Sequence, residues 1–201
     1  MTQETPTGTP PREVSAWNVP NALTVLRLVM VPVFAWALLA HPDSVGWRVV
    51  STAIFVVAIF TDFVDGKVAR KYDLVTSFGK LADPIADKAL TGMAFVGLSV
   101  LGELWWWVTI VILVREWGIT VLRFVVIRYG VIAADRGGKA KTALQAVALT
   151  LYLLPFLMVR GLTWVHVVAE VLMAVAFLLT VLTGANYVRS ALRLRRGSNR
   201  A

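Results

Sequence analysis

The chain has 201 residues, of which 58% are hydrophobic and only 16% charged, a balance that excludes an ordinary soluble domain and places the protein in a lipid bilayer. Its 20 Lys and Arg against 12 Asp and Glu leave a formal charge of +8, which in a membrane protein argues for cytoplasmic flanks facing anionic headgroups rather than for nucleic acid. Cysteine is absent and the two histidines, His41 and His166, are far apart, so thiolate chemistry is excluded and a zinc-type histidine cluster is not expected.

In chain order, residues 1–16 are predicted to form a disordered cytoplasmic tail that runs into an interfacial segment around Trp17. They do not read as a signal peptide, because no basic region precedes a short apolar run. Apolar runs then predict helices over 21–40, 46–71, 83–101, 104–128, 141–159 and 163–188, each near the roughly 20 residues a span needs. The expectation is an all-α integral membrane protein: one six-span domain over 17–190, then a basic cytoplasmic tail over 191–201. The turns at Gly102-Glu103 and Arg160-Gly161 are very short, so neighbouring helices are antiparallel. Orientation follows from the positive charges. One side collects Arg12, Arg70, Lys71, Lys80, Lys88, Arg128, Arg136, Lys139, Lys141, Arg189 and the basic tail, while the other holds little beyond Arg48 and Arg160. Both termini are therefore expected in the cytoplasm. Trp105, Trp106 and Trp107 read as an interfacial belt on the opposite side.

Charged residues inside spans are costly, and here they are grouped. Asp62 and Asp65 close the second span, and Asp83 and Asp87 open the third. Spacings of three and four residues put each pair on one helix face. Asp62 lies about 22 Å of helix beyond Trp47, near the cytoplasmic side of a roughly 30 Å hydrocarbon core. Four carboxylates at one level repel unless a cation holds them. Oxygen-only donors suit Mg²⁺ or Mn²⁺, which join carboxylates to phosphate oxygens. Gly66 and Gly79 allow close approach of a ligand or helix, and Arg70 sits within reach of a phosphate. Two other readings stand beside this one: interfacial ion pairs with Lys67, Arg70, Lys80 and Lys88, and the cation or proton pathway of an ion-coupled transporter.

The run from Asp62 through Asp65, Gly66, Ala69 and Arg70, followed after eight residues by Gly79, Asp83 and Asp87, resembles the complete signature of the CDP-alcohol phosphotransferases. The resemblance implies a six-span enzyme of the cytoplasmic membrane, usually a homodimer, in which an alcohol displaces CMP from a CDP-linked lipid on the cytoplasmic face. Carried over by position, it implies that Asp62, Asp65 and Asp83 hold two metal ions, with Asp87 as further ligand and general base. It likewise implies that Asn21, Thr24, Gly66, Ala69, Arg70 and Gly79, beside Asp62 and Asp65, line the CDP site. Direct in-line attack is favoured, although an Asp nucleophile would permit a covalent route.

The signature does not choose the acceptor. Asn18, Pro20, Asn21, Leu23, Thr24, Arg27 and Pro32, then Arg115, Glu116, Thr120 and Arg123, then Gly138, Lys139, Lys141, Thr142 and Gln145, are similar to the phosphatidylglycerophosphate synthases of that family. This implies CDP-diacylglycerol as donor and sn-glycerol 3-phosphate as acceptor. Arg115, Arg123, Lys139 and Lys141 independently suit a phosphorylated acceptor, because buried cations need anions. Inositol phosphate would use such a set as well; phosphatidylglycerol, the acceptor for cardiolipin, would not. Arg115 with Glu116 as mutual neutralisers, and Lys139 with Lys141 as topological anchors, are the plainer alternatives. The Gly137–Thr142 run lacks the spacing of a phosphate loop.

Overall fold

The computed structural model describes the backbone of residues 19–71, 77–126, 136–155 and 163–198, and their side chains except those of 19–20, 64–71, 77–81, 123–126, 136–137, 139, 163 and 194–198. Six helices occupy them: α1 Val19–Leu39, α2 Val45–Lys71, α3 Ser77–Val100, α4 Trp106–Val126, α5 Arg136–Leu153 and α6 Thr163–Ser198. Each coincides with one predicted apolar run. The predicted tail, Trp17 and the Arg160-Gly161 turn lie outside the described residues.

The ends differ from expectation where helix outlasts hydrophobicity. Helix α3 begins at Ser77 and α5 at Arg136, several residues before their apolar stretches, and α6 runs on to Ser198 through Arg193. Ala, Leu and Arg are strong helix formers, and the basic residues 193, 195 and 196 suit the negative end of the helix dipole. The basic segment beginning at 191 thus starts inside a helix. Among the described residues, three stretches are long and apolar enough to cross a membrane: Asn21–Leu39, Val45–Phe63 and Trp164–Arg193.

Helix α1 packs on α2 and α3, α4 on α3 and α6, and α5 on α6, α2 and α3. The turn from α3 into α4 shows how a sharp reversal is made. Gly102 has φ +74, the left-handed region where a side chain is strained. Its N–H donates to Ser99 O at 3.1 Å, and that of Glu103 to Leu98 O at 3.0 Å. This paired bonding satisfies the last carbonyls of α3.

The core is built from Phe34 and Phe55, whose ring centroids are 5.7 Å apart, with Leu90, Leu98, Ile112 and Leu149 around them. Small residues bring the backbones together. A Cβ on Gly97 would stand 2.5 Å from Leu38 Cδ2, so the leucine tip packs directly over the glycine and would have to shift for a larger residue. Outside, Trp36, Phe60, Val114, Leu178 and Leu182 are exposed, which is the surface a helix bundle presents to lipid rather than to water. Trp105, Trp106 and Trp107 are exposed as well, at the start of α4.

One end of the bundle is closed by a polar clamp. Arg48, near the start of α2, is buried; it pairs with Glu103 and donates from Nε to Leu153 O at 3.2 Å and from Nη2 to Tyr152 O at 3.0 Å. Thr52 adds a hydroxyl bond to Leu153 O at 2.6 Å. The orphan carbonyls at the end of α5 are thereby satisfied by a cation, the favoured partner there. The clamp ties α2, α5 and the α3–α4 turn into one unit.

Candidate functional site

The opposite end gathers a second set of buried polar residues, among them Asn21, Thr24, Arg27, Lys141, Gln145 and Thr180. It is assembled from the start of α1, the end of α2, the start of α3, the end of α4, the start of α5 and the second half of α6.

Its acidic part lies between α1, α2 and α3. Asp83 and Asp87 follow one another at a four-residue spacing in the first half of α3, and Pro84 between them cannot donate to the carbonyl of residue 80. On α1, Asn21, Thr24 and Arg27 recur every three residues, and all three are buried. They form a polar stripe turned inward in an otherwise apolar helix. The Thr24 hydroxyl donates to Asp83 Oδ1, and Arg27 Nη1 lies 2.6 Å from Asp62 Oδ1. The carboxylate of Asp87 is within electrostatic range of Asp62, Arg27, Lys88 and Glu116. Asp62 and Asp83 thus answer to one helix, α1, and Asp87 stands between them and the basic residues.

The basic part lies between α3, α4, α5 and α6, and Glu116 is its centre. One oxygen, Glu116 Oε1, receives Lys141 Nζ from α5 and Arg115 Nη1 at 3.0 Å. Its backbone carbonyl accepts from Lys88 Nζ at 2.8 Å, and Lys88 also bonds the hydroxyl of Thr120. Arg115 is held from α6: its Nη2 donates to Thr183 Oγ1 at 2.7 Å, and a Cβ on Gly184 would stand 3.0 Å from Arg115 Cγ and Nε. Gly184 is therefore the slot through which the arginine passes. Below it, Gln145 Nε2 donates to Thr180 Oγ1 at 2.8 Å, with both side chains buried. Lys88, Arg115, Lys141 and Gln145 each reach a partner on another helix, which offsets the cost of keeping them out of water.

Of the residues the sequence singled out, Asn21, Thr24, Asp62, Asp83, Asp87, Arg115 and Lys141 have described side chains and share this end. Asp65, Gly66, Ala69 and Arg70 fall on α2, Gly79 on α3, Arg123 on α4 and Lys139 on α5, but their side chains lie outside the described residues. Thr24 is occupied by a carboxylate, an arrangement its spacing did not announce. Among the described residues no three His, Asp or Glu side chains gather closely enough to hold an ion. The donor set nonetheless suits a hard divalent cation. It is all carboxylate and hydroxyl oxygen, and Asp62 accepts a cationic partner in Arg27.

The ion-pair reading meets a different partner from those it named. Asp62 pairs with Arg27 on another helix, and Lys88 turns to α4; Lys67, Arg70 and Lys80 lie outside the described side chains. In the sequence Arg27 carries only the family resemblance and no site role, although an arginine amid an apolar run is itself a signal. Glu116 as a two-cation hub was hidden because Lys141 is 25 residues away. Thr183 and Gly184 left only a faint trace, a small polar step in the apolar run of α6.

Residues 17–182 match the family model for CDP-alcohol phosphatidyltransferase. The chain is 55% identical over 179 residues to the "Probable phosphatidylglycerophosphate synthase" of Mycobacterium tuberculosis strain H37Rv, covering 88% of this chain and 82% of that protein. It is 38% identical over 185 residues to the "CDP-diacylglycerol--glycerol-3-phosphate 3-phosphatidyltransferase" of Bacillus subtilis strain 168, covering 85% and 93% of the two chains. A protein of that same description from Rickettsia prowazekii strain Madrid E is 37% identical over 174 residues, covering 86% and 94%.

Proposed function

The chain belongs to the CDP-alcohol phosphatidyltransferase family, and from that premise we propose that it is a membrane enzyme transferring the phosphatidyl group of CDP-diacylglycerol to sn-glycerol 3-phosphate. The products are phosphatidylglycerophosphate and CMP. The observation that carries this reading is the meeting of two unlike clusters at neighbouring residues of α3: Asp87 lies within electrostatic range of Asp62 and Arg27 as well as of Lys88 and Glu116, while Lys88 is bonded to Glu116 and Thr120 in the basic part. A reaction joining a pyrophosphate donor to a phosphorylated alcohol needs those two environments side by side.

Asp62, Asp65, Asp83 and Asp87 would hold two Mg²⁺ or Mn²⁺ ions, whose contribution is to neutralise the pyrophosphate and the charge on departing CMP. Asn21, Thr24, Gly66, Ala69, Arg70 and Gly79 would border the CDP moiety. Asp87 accepts the proton of the attacking hydroxyl; that oxygen bonds to the phosphatidyl phosphorus as the bond from phosphorus to the CMP oxygen breaks. Arg115 and Lys141, joined by Arg123 and Lys139, receive the acceptor's phosphate. Lys88, Arg115 and Lys141 against Glu116 leave a surplus of two positive charges among the described residues, which matches a dianionic phosphate monoester better than a phosphodiester or a neutral alcohol.

In this reading all six helices cross the cytoplasmic membrane, with both termini and the site on the cytoplasmic face. The core domain runs over 17–190 and the enzyme works as a homodimer. The basic residues of the site end of α2 to α6 support the orientation. The test is release of CMP from CDP-diacylglycerol by the detergent-purified protein. Release that requires Mg²⁺ or Mn²⁺ and stops on chelation is expected; cation flux through reconstituted vesicles without CMP release would replace the enzyme by a transporter.

A further inference from the structure

Arg27 is 2% exposed, while the side chain of its partner Asp62 is 40% exposed. The pair is therefore open on its acidic side and closed on its cationic side. An incoming ion can reach the carboxylate, but the guanidinium cannot swing into water to make way. Arginine keeps its charge in any protein environment, so this positive charge is a permanent fixture of the site. Its influence extends past Asp62, because Asp87 also lies within its electrostatic range. One turn away on the same face of α1, Thr24 donates to Asp83. Through these two residues a single helix engages carboxylates from both α2 and α3.

Carboxylates brought to one level from two helices repel each other. That repulsion would push α2 and α3 apart whenever no metal is bound. We propose that Arg27 is a resident counter-cation of the acidic cluster: it holds α1, α2 and α3 in register before a divalent ion arrives, and weakens that ion's binding afterwards so that it stays exchangeable. Arg27 is a positioning residue, acting on the ion site through Asp62. The inference rests on the metal-dependent reading given above and adds to it a residue outside the acidic motif.

The experiment follows Mn²⁺ binding by electron paramagnetic resonance and thermal unfolding with chelator or saturating Mn²⁺, on the full-length protein in detergent. Removing a unit charge a few ångströms from the ion should lower the Mn²⁺ midpoint about tenfold in Arg27→Met. The same variant should unfold earlier than wild type in chelator and recover most of the difference in Mn²⁺. Arg27→Gln retains an amide donor beside Asp62, so it keeps the packing while losing the charge, and should show the same shift in midpoint. Arg27→Lys should return the midpoint toward wild type. An unchanged midpoint in Arg27→Gln, with a loss of stability equal in chelator and in Mn²⁺, would overturn the inference by making Arg27 a packing residue alone. If wild type itself binds no Mn²⁺, the metal-dependent reading fails first, and the role of Arg27 with it.

Discussion

The two ends of this bundle both bury charge, and they do so in opposite ways. At the end where α2 begins, Arg48 meets one carboxylate, Glu103, and donates from Nε and Nη2 to the carbonyls of Leu153 and Tyr152. At the far end each cluster carries an excess of one sign: carboxylates from α2 and α3 collect near α1 around Arg27, and cations from α3, α4 and α5 collect around Glu116. A buried ion pair that is locally neutral and bonded to backbone fixes geometry and little else. Separated clusters of opposite sign are electrostatically unfinished, and that is the condition under which charged substrates and ions bind. Burial alone therefore does not mark a functional charge in a membrane protein; incomplete local neutralisation does.

The largest effect should come from the residue between the clusters. Asp87→Asn keeps the shape and removes the base, and should lower turnover about 1,000-fold while leaving the unfolding temperature near wild type; near-normal turnover would remove Asp87 from the chemistry. The other end should respond in the reverse sense. Arg48→Met strands Glu103 and the α5 carbonyls, and should cost about 2–3 kcal/mol in denaturant unfolding with turnover per folded molecule intact. If activity fell and stability did not, the contrast between the ends would collapse. A smaller change sharpens the basic cluster: Glu116→Gln releases Lys141 and Arg115 from a common oxygen, and should raise KM for the phosphorylated acceptor about tenfold with little change in KM for CDP-diacylglycerol. The smallest is Gly184→Ala, whose methyl crowds Arg115 at 3.0 Å. It should raise the same KM about threefold, since a modest displacement of a positioning arginine forfeits part of its binding.

Much of this was legible in the sequence because bilayers enforce simple rules. Long apolar runs marked where all six helices lie, although among the described residues only three stretches are long and apolar enough to cross a membrane, and charges within such runs need a reason, so the four aspartates stood out. Helix ends were less legible: α3, α5 and α6 extend through polar residues that hydropathy excludes but helix propensity accepts. The site was readable where its residues are close in sequence and silent where they are not. Asp83 and Asp87 announce each other at a four-residue spacing, whereas Arg27 and Asp62 meet only because α1 packs on α2. Glu116 beside Arg115 suggested simple neutralisation, and only the approach of α5 reveals that the same oxygen also holds Lys141. Thr183 and Gly184 gain meaning from Arg115, on another helix.

The central claim is that the basic cluster selects a dianionic phosphorylated acceptor for the chemistry at the acidic one. It is tested most directly by measuring CMP release from CDP-diacylglycerol with sn-glycerol 3-phosphate, inositol phosphate or phosphatidylglycerol as acceptor, in wild type and in Lys141→Met. The account predicts release with sn-glycerol 3-phosphate alone and a KM for it raised at least about tenfold in the variant. Equal release with phosphatidylglycerol, or a variant indistinguishable from wild type, would contradict it.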